Sequence, residues 1–243
     1  MGVCQQEFTL TPITQFDSAP TLLDVVKECT ESYDEDQPGA SWPSNLLHRQ
    51  TVVYGSGVIA VAGTPVRHHV DPEELSLCRE LAVQSREIIG GIEIGMGSEG
   101  GAGFSPFFIC VNSDEAVPGA ITGELIRKRF GGTIFPPAGI TVEPLVESGL
   151  WWREVTAGVE GLDETERSEI LAAWRRLISW FETHPRLSGG SFVRIGDYDE
   201  LRRVKATELP KGTNTFGSVL PRLAVGLSRQ GSLIGIFGSV VQT

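Results

Sequence analysis

The stretch Leu220-Pro221-Arg222-Leu223-Ala224-Val225-Gly226-Leu227-Ser228-Arg229-Gln230-Gly231-Ser232-Leu233-Ile234-Gly235-Ile236-Phe237-Gly238-Ser239-Val240-Val241 decides the fold. Two apolar runs, Leu220–Leu227 and Leu233–Val241, flank the turn residues Ser228–Gly231. A connection this short cannot carry a parallel crossover, so the runs read as an antiparallel hairpin. Its small residues Ala224, Gly226 and Ser228 alternate with Leu223, Val225 and Leu227, a pattern suited to tight sheet packing or to a contact between subunits of a homo-oligomer.

The same logic extends toward the N-terminus. Thr51–Tyr54 and Val58–Ala62 flank Gly55-Ser56-Gly57 and predict a second hairpin. Phe104–Val111 is apolar almost throughout and reads as a central strand buried on both faces. Gln6–Thr14, 140–146, 150–157 and Ser191–Ile195 complete the expected strands. Helices are expected over 20–32, from the Asp71-Pro72-Glu73-Glu74 cap to Gly90-Gly91, over 118–130 from Pro118 to Gly131-Gly132, and from the Asp163-x-x-Glu166 cap to His184-Pro185. Tyr198–Lys205 reads as a weak helix and Tyr33–Pro43 as an exposed loop.

Several strand pairs are thus joined by short loops. The expected class is α+β, with largely antiparallel or mixed sheets against four to five helices. The chain is expected to form a single compact domain, 1–243, within which residues 1–116 and 117–243 have a roughly similar element order compatible with two α/β sandwich lobes.

The composition narrows function by exclusion. Twenty Lys and Arg face 31 Asp and Glu, a formal net charge of −11. Such a chain would be repelled by polyphosphate, so no nucleic-acid partner is expected. No apolar run approaches the roughly 18 residues of a membrane span, and the start has no secretory pattern, so a cytoplasmic protein without a membrane partner is expected. The acidity is confined to residues 1–121, with 5 cations and 17 acids, while 122–243 carries 15 cations and 14 acids. Sixteen of the 20 cations are Arg, which suits recognition of a small carboxylate. Cys4, Cys29, Cys78 and Cys110 form no C-x-x-C pair, and reduced, buried thiols are expected.

The 29 glycines, about 12% against a usual level of about 7%, are the other departure. Five of them fall between Gly95 and Gly103. Gly95-Met96-Gly97-Ser98-Glu99-Gly100 matches G-x-G-x-x-G in letters, but a strand follows where a dinucleotide fold needs a helix. No nicotinamide or flavin cofactor is expected from it. The loop instead offers amides of Gly97, Ser98, Gly100 and Gly101 to an anion or a developing oxyanion. Its carboxylate, Glu99, could move a proton together with His68 or His69. On a strand these adjacent histidines face opposite sides, so they would not chelate one metal together, and no metal is expected. Trp152 is a candidate ligand wall, and Arg153 and Arg222 are candidates to orient a substrate carboxylate.

G-x-S-x-G, H-E-x-x-H and G-x-x-x-x-G-K-[ST] are absent, which argues against hydrolase, zinc-protease and phosphate-loop chemistry. The expectation is therefore an enzyme acting on a small organic, carboxylate-bearing molecule by metal-free acid–base chemistry of the lyase, isomerase or cyclase type. Two alternatives stand beside it, a non-catalytic small-ligand-binding or assembly protein and a stand-alone lobe of a flavoprotein-like architecture.

Overall fold

A computed structural model describes residues 46–66, 68–89, 104–208 and 219–241. The expected strand at Gln6–Thr14, the helix over 20–32, the loop over Tyr33–Pro43 and the glycine-rich stretch 95–103 lie outside the described residues.

Five strands form one antiparallel sheet. They are β3 (Ser105–Ile109), β4 (Ile140–Pro144), β5 (Leu187–Ile195), β6 (Val219–Ser228) and β7 (Leu233–Val241), in the order β3-β7-β6-β5-β4. β1 (Thr51–Val53) and β2 (Ile59–Val61) form the separate hairpin, whose turn residue Gly57 has φ +75°. The helices are α1 (Pro72–Ile89), α2 (Gly123–Arg129), α3 (Trp151–Gly158), α4 (Glu164–Thr183) and the short α5 (Tyr198–Leu201). The class is α+β with antiparallel sheets, as the short connections imply. No helix among the described residues is long and apolar enough to cross a membrane.

The β6–β7 hairpin forms in the register its sequence implies, with Leu227 opposite Leu233 and Val219 opposite Val241. All ten residues of β6 are buried. Its two faces are therefore both covered. On one, Phe192 of β5 stacks on Trp151 of α3 at 4.8 Å, and Trp174 of α4 packs edge-on against Trp151's neighbours Phe192 and Phe104. On the other, Phe237 meets Phe107 of β3 at 5.8 Å and Phe130, just past α2, at 6.0 Å.

Four expectations are corrected. The run Phe104–Val111 is not central among the described strands: its strand, β3, is at an edge of their sheet, and the strands buried on both faces are β6 and β7. Phe107 and Ile109 face inward while Phe108 is half-buried, so the continuous apolarity reflects contact with the β1–β2 turn, where the Cys110 N–H donates to the Ser56 carbonyl at 3.0 Å. The segment 150–157 is a helix, α3, not a strand. Trp151, Val155 and Val159 are buried at a helical spacing of four, and the Trp151 indole N–H donates to the Pro144 carbonyl at 3.2 Å, so tertiary burial of one stripe overrides the β-favouring letters. The helix expected from Pro118 starts only at Gly123, because the Thr122 hydroxyl accepts from the Leu125 N–H and sets the cap there. Strand β5 also begins earlier than expected. Ser188–Ser191 is a bulge within it, with Gly189 at φ +60°.

The Asp163 cap is as expected, with its carboxylate accepting from Thr165 and Glu166 N–H groups at 2.9 Å. Asp71 likewise accepts from Glu73 N–H at 2.9 Å. Glu74, however, does not close a capping box. Only 2% exposed, it accepts a hydrogen bond from the Ser228 hydroxyl. That hydroxyl oxygen in turn accepts from Gly231 and Ser232 N–H at 3.2 and 3.0 Å. The start of α1 is thereby fastened to the β6–β7 turn.

Gly235 shows how close the hairpin strands come: a Cβ there would lie 2.0 Å from the Ala224 carbonyl oxygen. Gly119 has open space around it. Gly235→Ala should destabilise the protein by about 1–3 kcal/mol or more through forced strand displacement, whereas Gly119→Ala should stay within about 0.5 kcal/mol. Urea denaturation of both variants measures the difference.

Candidate functional site

The chain leaving β2 runs through Thr64–Val66 to His68 and His69 before the α1 cap. The two histidines diverge, as alternation along an extended segment requires. His69 is exposed, and its carbonyl accepts from the Ser113 N–H and hydroxyl at 2.8 and 3.0 Å. His68 turns inward to an open cavity of ≈ 240 Å³.

Two other segments complete this cavity. After β3 the chain turns through Asn112–Glu115, closed by the Glu115 N–H donating to the Asn112 carbonyl at 2.9 Å. The last turn of α2 supplies Lys128 and Arg129. Gly131 follows at φ +54°, and a side chain there would lie 2.2 Å from the Ile59 carbonyl oxygen. Only glycine lets the end of α2 approach β2 so closely.

Charge is concentrated at this meeting point. Glu115 Oε2 lies 3.0 Å from both Lys128 Nζ and Arg129 Nη1. Arg129 is 6% exposed, and its Nε and Nη2 have no hydrogen-bond partner among the described residues. His68 Nε2 is likewise buried and unpartnered. Burial is the main cause that lowers the His68 pKa, and the Arg129 charge adds to it; the Glu115 charge and a hydrogen bond with the Cys110 backbone oppose. With Nε2 unpartnered, Nδ1 is the ring nitrogen left to meet that backbone, and the imidazole at neutral pH presents Nε2 as a proton acceptor. For Glu115, burial pushes the carboxyl up, but the Lys128 hydrogen bond and the Arg129 and Lys128 charges outweigh it and hold the group below its ordinary value.

The other expected site residues lie elsewhere. Glu99, Gly97, Ser98, Gly100 and Gly101 lie outside the described residues. Trp152, Arg153 and Arg222 are not in the lining of the His68 cavity. Trp152 is half-buried on α3 beneath the Arg175 guanidinium, 5.9 Å from its ring centre. Arg153 is exposed on the same helix. Arg222, 2% exposed on β6, donates through Nε to Glu154 Oε2 at 3.1 Å, and Glu154 Oε1 is shared with Arg194 at 3.4 Å. The carboxylate Arg222 orients is thus the protein's own.

Reading the sequence did not single out Glu115, Lys128 or Arg129 as site residues. A signal was present in the Arg127-Lys128-Arg129 run before Gly131-Gly132, since a charged turn ending in left-handed glycines can be drawn under a neighbouring strand. Cys78 and Cys110, although distant in the sequence, are buried side by side as free thiols. The Cys78 hydrogen bond and burial both push the Cys110 thiol up. Among the described residues no three His, Cys, Asp or Glu side chains are grouped to hold a metal ion. No protein-family model matches the chain, and comparison with curated proteins finds no significant match.

Two outcomes follow from these charges. Because the folded state resists protonating His68, the unfolded chain binds more protons as pH falls below about 6.5, and stability should fall across that window until the lowered folded pKa is passed. His68→Gln should lose less stability than the wild type between about pH 7.5 and pH 5.5, read from denaturation midpoints. Glu154→Gln, which leaves Arg222 buried without its counter-charge, should cost on the order of 3 kcal/mol at neutral pH in the same measurement.

Proposed function

We propose that the protein is an enzyme acting on a small carboxylate-bearing organic molecule by metal-free acid–base chemistry of the lyase or isomerase type, in the cavity at His68. The observation that carries this reading is the buried, unpartnered Nε2 of a histidine kept neutral beside a cationic cluster. Neutral imidazole at Nε2 can accept a proton from a substrate carbon or oxygen. The imidazolium so formed gains from Glu115 and from the Cys110 backbone, and it can return the proton to product. Arg129 and Lys128 supply positive charge where the deprotonated substrate becomes more negative. Glu99 and the 95–103 amides have no part in this reading. The other sizeable cavity among those described, ≈ 230 Å³ between Gly119–Ile121 and Ser188–Ser191, is lined without an ionisable side chain, which favours the His68 cavity for proton transfer.

A second reading, a binding protein without turnover, draws support from Arg129, whose charge opposes formation of the imidazolium. Deuterium exchange separates the two. In D2O with a panel of small 2-oxo, 3-hydroxy and unsaturated carboxylic acids, at least one acid should exchange a C–H proton, read by proton NMR, and His68→Gln should slow that exchange about 100-fold or more. Exchange that survives the substitution would overturn the role of His68, and binding without any exchange would favour the second reading.

A further inference from the structure

We propose that the Nε–Nη2 edge of Arg129 is a carboxylate-binding fork, and that the cavity takes a small monocarboxylate with an apolar body. The inference rests on the cavity being a ligand site, but not on His68 moving a proton. A guanidinium has three edges, and the pair of parallel N–H groups on the Nε–Nη2 edge matches the two oxygens of a carboxylate. In Arg129 the Glu115 carboxylate is engaged at Nη1, at 3.0 Å, while Nε and Nη2 have no partner among the described residues. Buried guanidinium donors without partners are rare, because each one left unpaired costs free energy that an external acceptor would recover. The side chain is built in rather than draped on the surface, since 5% of it is exposed.

Charge sets the ligand's valence. The ionisable groups lining the cavity are His68, Glu115, Lys128, Arg129 and the Cys110 thiol, which Cys78 and burial keep neutral. With His68 neutral and Glu115 ionised, they sum to one positive charge in excess. That surplus matches a single carboxylate and leaves a second anionic group without a partner. Apart from the Thr64 hydroxyl, the remaining lining is largely apolar, chiefly Val58, Ile59, Ala60, Val66 and Ile109, which fits an apolar body.

Titration calorimetry of the whole protein at neutral pH tests this with benzoate, butyrate, benzamide and inorganic phosphate. Benzoate or butyrate should bind and benzamide should bind about tenfold more weakly or not at all. Arg129→Lys keeps the charge but loses the fork, and should weaken the carboxylate about tenfold or more while its unfolding midpoint shows a folded protein. Should that variant not fold, the wild-type comparison of benzoate with benzamide and phosphate decides alone. Equal affinity for benzamide, tighter binding of phosphate, undiminished binding by folded Arg129→Lys, or no carboxylate binding up to about 10 mM would each overturn the proposal. Carboxylate binding by the fork together with absent deuterium exchange would leave it standing and remove only the enzymatic reading.

Discussion

The constraint on which the architecture turns is that strand β6 has no side facing water. All ten of its residues are buried, so the hairpin it forms with β7 can exist only under two roofs. One roof is aromatic, where α3 and α4 bring Trp151 and Trp174 onto Phe192. The other is drawn from residues around α2, with Phe130 against Phe237. Drawing α2 onto that second face has a local result. Its last turn ends beside β2, held there by the left-handed Gly131, and this brings Lys128 and Arg129 to the segment that carries His68. The cavity is a by-product of covering the hairpin.

Burying a hairpin also buries polar residues along it, here Ser228, Ser232 and Arg222, and each such group then needs an internal partner. Ser228 finds Glu74, which fixes the start of α1 over the turn, and the Gln230 side-chain amide donates to Asp71 at 3.1 Å in the same region. Ser232 Oγ accepts from the Val111 N–H at 3.0 Å and ties the end of β3 to the same turn. Arg222 is held by Glu154 and by the Pro221 carbonyl at 3.1 Å. Apart from the Arg222–Pro221 contact, these pairs connect segments more than 60 residues apart in the chain, so they fix register and helix placement as well as satisfying charge.

This division explains what could be read in advance. The α+β class, both hairpins and the Asp71 and Asp163 caps depend on neighbours within a few residues, and local patterns carried them. The central strand was misplaced because an apolar run looks the same whether it is covered by two layers or lies at an edge against a second hairpin, as Phe104–Val111 does. The segment at Trp151 was misread because two adjacent tryptophans favour a strand locally, while the stripe Trp151, Val155, Val159 favours a helix only once α4 and β5 are there to receive it. Of the candidate site, His68 was identifiable by type as a titratable candidate. Its partners were not, since Glu115 and Arg129 reach it only through the way β3 and α2 are folded back.

The chemistry of the cavity depends on a contest within it. Arg129 and burial disfavour a charged His68, whereas Glu115 favours one, and the net effect keeps the ring neutral. Glu115 is itself held ionised by Lys128 and Arg129 against its own burial. In the proposed role, a carboxylate held by the unpartnered edge of Arg129 would add a negative charge near the ring and reduce what Arg129 takes away. Binding would then raise the proton affinity of Nε2 at the moment a substrate proton is within reach, coupling anion recognition to base strength through a single guanidinium. The same arrangement favours the unprotonated histidine, which is the receptive form of the proposed base.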